Sequence, residues 1–73
     1  MDEYYRFQHE RPRAGEHVHC FTSLRALKDF AQMMRGQDPD FARMKFWKVT
    51  GTFVRHDEGD VVVRVSTATR IRL

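Results

Sequence analysis

The side chains of this protein with the capacity for chemistry are four histidines, one cysteine and the acids Asp57, Glu58 and Asp60. His17 and His19 stand two residues apart, a spacing that puts both rings on one side of a strand. If the preceding strand returns along them, His9 lies across from His17. Three imidazoles on one rim have the ligand number of a zinc site with an open position. The same face also carries Tyr5, Phe7 and Phe21, a setting in which His19 reads as a packed core histidine. No Asp or Glu is placed to orient the rings from behind. His9, His17 and His19 therefore stand as the metal candidates, and no metal or cofactor is assigned. Cys20 points to the opposite face, beside Val18. With no Cys-x-x-Cys pair and no base near it in sequence, it reads as a small buried hydrophobe rather than a nucleophile. The acids crowd a hairpin tip beside His56, where nothing encloses them to shift their protonation. No glycine-rich run cradles phosphate. The chain thus reads as non-enzymatic, and its surfaces carry the functional question.

The elements that hold those surfaces follow from periodicity. Trp47 to Leu73 reads as one long β-hairpin around Asp57-Glu58-Gly59. Trp47, Val49 and Phe53 alternate with Lys48, Thr50 and Thr52. Val61, Val63, Val65, Thr67, Thr69 and Ile71 alternate with Arg64, Ser66, Arg70 and Arg72. Such alternation marks a strand with one buried face. Opposed residues point the same way, so the turn must bring both apolar sets together. A two-residue Glu58-Gly59 loop puts Phe53 opposite Arg64. The three-residue loop Asp57-Glu58-Gly59 puts Phe53 opposite Val63, Val49 opposite Thr67 and Trp47 opposite Thr69, with Gly59 at the left-handed position. The second register is the expectation. It leaves Phe46, Lys48, Thr50, Thr52, Val54, Val62, Arg64, Arg70 and Arg72 on the outer face, with Val54 opposite Val62.

Upstream, Glu3 to Glu10 reads as a first strand and Glu16 to Phe21 as a second one returning along it. A five-residue loop with breakers Pro12 and Gly15 joins them. That pairing sets His9 against His17, Phe7 against His19 and Tyr5 against Phe21, with Arg11 and Arg13 exposed at the tip. Thr22 or Ser23 caps a helix from Leu24 to Arg35. Leu24, Leu27, Phe30, Ala31 and Met34 form its apolar stripe, and Gly36 is its natural stop. Asp38 caps a short turn beginning at Pro39, which Phe41 to Met44 extend. The order β-β-α-β-β makes residues 1–73 a single α+β domain, a small antiparallel sheet with one helix packed on one face.

Size and charge bound the function further. A 73-residue chain has a small core and no room for a deep cleft with its own walls. One cysteine excludes an intrachain disulfide and suits a reducing compartment. No stretch reaches the ~18 to 20 apolar residues of a membrane span. The start, Met-Asp-Glu-Tyr-Tyr-Arg, lacks the character of a secretory signal, so a cytoplasmic location is expected. The formal charge is +3, and ten of the thirteen basic residues are arginine. Arginine suits bidentate contact with carboxylate or phosphate.

Two resemblances add expectations. Tyr4-Tyr5-Arg6-Phe7 followed by Phe21-Thr22-Ser23-Leu24 resembles the opening half of ADP-ribosyltransferase-type domains. The resemblance implies that Arg6 and Thr22-Ser23 help hold NAD. The glutamate that acts on the ribose in that family has no counterpart in the later strands. In size and build the whole chain is similar to small phage-encoded inhibitors of the anti-CRISPR type, a likeness without diagnostic residues. That similarity implies a rigid binder that inhibits or modulates a larger host protein or nucleoprotein complex. The expected contact surface is the basic strand face: Lys48, Arg64, Arg70 and Arg72 around Phe46, Val54 and Val62, with Arg11 and Arg13 at the other hairpin. The alternatives are direct nucleic-acid binding by the same face, with Phe46 or Tyr4 stacking on bases, and a metal site or ADP-ribosyltransferase-like fragment. Val62, Val54 and Phe46 also offer a pairing surface to a second copy, so monomer and homodimer both remain open.

Overall fold

A computed structural model describes residues 2–73. The elements are β1 (Asp2–Phe7), β2 (His17–Cys20), α1 (Leu24–Gln37), a 3-10 turn (Pro39–Arg43), β3 (Phe46–Asp57) and β4 (Asp60–Ile71). They form one antiparallel four-stranded sheet in the order β1-β3-β4-β2 with α1 on one face, the α+β arrangement expected.

The helix forms where its stripe and caps direct. Ser23 is the N-cap, its hydroxyl oxygen accepting the Ala26 N–H at 3.1 Å. Leu27 and Ala31 are fully buried, and Phe30 and Met34 pack beside them. The helix runs on through Gly36 to Gln37 instead of stopping there. Gly36 meets nothing on the side where a Cβ would stand, and the Asp38 N–H closes the last turn on the Met34 carbonyl. Asp38 then accepts the Asp40 N–H and caps the 3-10 turn that begins at Pro39.

The β3–β4 turn departs from the expected loop. Asp57 pairs with Asp60, so the loop is the two-residue Glu58-Gly59, with φ of +46° and +91°. Two successive positive φ values match the right-handed twist of the flanking strands, as a type I′ turn does. Phe53 still lies opposite Val63, because Val54 is an extra residue in β3 that shifts the ladder by one. Val62 consequently faces Arg55 rather than Val54. A second bulge, with Ser66 as the extra residue in β4, shifts it back. Val49 therefore meets Ala68 and Trp47 meets Arg70, in place of Thr67 and Thr69.

The N-terminal hairpin is corrected as well. β1 pairs with β3 and β2 with β4, at opposite edges of the sheet. The sheet curls until those edges meet, and of the three expected pairs only Tyr5 with Phe21 forms, as an isolated bridge closed by two backbone hydrogen bonds. Arg6 spans the same seam, donating from Nη1 to the His19 carbonyl at 2.7 Å.

Curling creates two cores. Inside it lie Tyr4, Val18, Cys20, Trp47, Val49, Val61, Val63, Val65 and Ala68. On the outside α1 covers Phe46, Tyr5, Phe7, Phe21 and Ile71. The valine row expected beneath the helix thus packs within the curl, and the helix sits on the face expected to be open. Phe53 shares the face of Val63 but lies past the end of the curl and is 42 % exposed, against the His56 ring at 5.0 Å.

Candidate binding surface

The bulge at Ser66 divides the expected basic face. Arg64 precedes it and stands between His17 and Thr52 on the neighbouring strands, whereas Arg70 follows it and shares the inward row of Trp47. Side chains alternate strictly only while the ladder is regular, so one extra residue moves every later side chain to the other face. Phe46 and Val62 are 5 % and 2 % exposed and are core side chains rather than an open patch. Phe46 belongs to the helix-covered core; Val62 is buried between His19 and Arg55. Val54 is exposed, beyond the end of β1. Lys48 is half-buried and pairs with Glu3 at 3.6 Å. With Phe46 and Val62 buried, the pairing surface expected for a second copy reduces to Val54.

In place of that face the structure gathers arginines at one end of the curl. Trp47 holds two of them. Its indole N–H donates to the Gln8 carbonyl at 3.0 Å, and the Arg11 and Arg70 guanidiniums lie 5.2 and 6.0 Å from its ring centroid. Arg11 also donates to the Ala68 carbonyl, so it is anchored rather than free at a loop tip. Arg13, in the same loop, keeps its side chain exposed. Arg35, from the last turn of α1, places its guanidinium over Phe46 at 5.6 Å. A groove of about 280 Å³ is lined by Arg35, Arg70 and Arg72 together with Met44, Phe46, Ile71 and Leu73.

The chemistry of this end is anion recognition. Among the described residues, the three ion pairs engage His19 with Asp57, Arg25 with Asp29 and Lys48 with Glu3. Arg11, Arg35, Arg70 and Arg72 have no carboxylate partner among the described residues. Stacking on a ring holds a guanidinium plane in place while its N–H fork remains available. Arg35 is the member that sequence reasoning missed. Its signal was its place in the final helical turn, on the polar side of the stripe, but its nearness to Arg70 depends on the helix being docked.

The other candidates disperse. His9 lies past the end of β1 and not across from His17. His17 faces outward beside Arg64, and His19 bonds to Asp57 at 2.9 Å across β4. That carboxylate partner, 38 residues away, was invisible to a search of nearby positions. Among the described residues no three His, Cys, Asp or Glu side chains come together. Cys20 is buried, and desolvation pushes its thiol up to about 11, against a smaller downward pull from Arg6. Arg6 is committed to the seam and to Gln8, and Ser23 to the helix cap. Tyr4 is 7 % exposed, so neither aromatic named for base stacking is accessible. Among the described residues, no helix is long and apolar enough to cross a membrane.

Comparison with protein families, curated proteins and solved structures returns no match to this chain.

Proposed function

We propose that this protein is a non-enzymatic interaction module that docks its arginine-bearing end onto an acidic surface of a larger protein or nucleoprotein assembly and so modulates it, the mode of action of small phage-encoded inhibitors. The observation that carries the reading is the group Arg35, Arg70 and Arg72 around one groove, two of them stacked on buried rings and none in an ion pair among the described residues. Arginine beside apolar side chains is a common composition for interface anchors. Burial of Tyr4 and Phe46 favours a protein surface over single-stranded nucleic acid, which needs open rings to stack on.

The test is binding of polyglutamate, measured at low and moderate salt, to the native protein and to a double variant Arg35→Glu/Arg72→Glu. The variant is expected to lose at least tenfold in affinity while its circular dichroism and melting stay native. Unchanged binding overturns the reading. A gel shift with single-stranded oligonucleotide, steeply salt-dependent and lost in the same variant, transfers the surface to nucleic acid instead.

A further inference from the structure

Beyond Val65, the side of β4 that faces away from β3 has no strand beside it among the described residues. β2 pairs with β4 only from Val61 to Arg64, and Val65 exchanges hydrogen bonds with Gly15 and Glu16 of the loop. The next outward-facing residue after the bulge is Ala68, whose carbonyl is taken by Arg11. Alternation along the strand turns the backbone N–H and C=O of Arg70 outward in the same way, and Arg72 and Leu73 run on past the end of β4 at Ile71. Among the described residues no backbone hydrogen bond reaches them. An edge of this kind is a template for another extended chain.

The side chains flanking that edge specify what would lie on it. Arg70 and Arg72 project to one side and Ile71 and Leu73 to the other, where they pack beside the helix-covered core. Successive residues of an added strand alternate likewise, so every second one faces the arginine row and the rest face Ile71 and Leu73. Arg35, over the Phe46 ring, borders the same groove from the Ile71 side.

We infer that β4 accepts an extended peptide segment of a partner protein as an added strand along Arg70–Leu73, and that the segment alternates acidic with apolar residues. Backbone pairing supplies the register, and the guanidiniums select carboxylates at every second position. This deepens the proposed docking and rests on it, since it names how the arginine-bearing end holds its partner.

Three fluorescent peptides test it by anisotropy at low salt: (Val-Glu)4, the same peptide N-methylated on its valine amides, and the same peptide N-methylated on its glutamate amides. Methylation keeps every charge and removes the donors of one peptide edge. The unmodified peptide is expected to bind, with at least one methylated form weaker by tenfold or more. Equal affinity for all three overturns strand addition and leaves the electrostatic docking standing. Absence of binding by all three overturns both, and a single-stranded oligonucleotide that binds under those conditions identifies the surface as one for nucleic acid.

Discussion

The two cores of this small protein are built from different residues. Within the curl the packing is aliphatic: Val18, Val49, Val61, Val63, Val65, Ala68 and Cys20, closed by Tyr4 and Trp47. Between sheet and helix it is aromatic, with Phe7 stacked on Phe30 at 5.3 Å and edge-on to Phe41 at 5.2 Å, and Phe21 and Phe46 alongside. β-branched and small side chains pack between strands of the curled sheet, and rings fill the layer between sheet and helix. The aromatic residues thus mark where the helix docks.

The sharpest way to break the contrast is Gly51→Ala. Gly51 sits beside the Ser66 bulge, and a methyl there falls on the Arg64 carbonyl oxygen and 2.7 Å from Val63 Cγ1. Backbone cannot retreat as a side chain can, so the expected loss is about 3 kcal/mol or more, read as a collapse of the urea midpoint. Leu27→Ala opens the other core beneath the helix and is expected to cost about 3 kcal/mol. If far-UV and tryptophan signals of that variant still melt together, the two cores are one cooperative unit. Separate transitions would show that the helix leaves the curled sheet first.

Cys20 reports on the inner core. Burial raises its thiol from 9.0 to about 11, which lowers the thiolate fraction near pH 8 by about 100-fold on that basis. Alkylation by iodoacetamide is expected to be slower by at least that factor in the native protein than in urea. The folded state keeps the proton more tightly than the unfolded one. Stability from this group is thus full below pH 9 and is lost as pH rises toward 11. A native thiol that reacts as fast as the unfolded one would mean that the curl opens readily.

How much of this was legible in the chain depends on the reach of each signal. The helix start with a cap at Thr22 or Ser23, the Leu27/Ala31 stripe and the Asp38-Pro39 turn were readable, because capping and helical periodicity act within a few residues, while the helix end was read two residues short. The hairpin was readable too, but its loop was not. The three-residue loop was expected in order to set Phe53 opposite Val63, a pairing that the extra residue Val54 produces with the two-residue Glu58-Gly59 turn. The candidate surface was readable only in part. Arg70 and Arg72 were named, but beside Arg64 and Val62, which the structure places elsewhere, and beside Phe46, which is buried beneath Arg35. Ala68 was the overlooked clue, an apolar residue out of step with Val61, Val63 and Val65, as a strand that changes face requires.

From its own residues the chain determined the order of elements, the α+β class and the side chains that share a face along each uninterrupted run. Those are local consequences of backbone period and turn chemistry. Only the tertiary structure decided the strand order, the closing of the seam at Tyr5 and Phe21, and the side of the sheet the helix covers. Each of these joins residues far apart in sequence. Alternation says that two faces differ and is silent on what covers either, and a single bulge exchanges them without disturbing the pattern on its two sides.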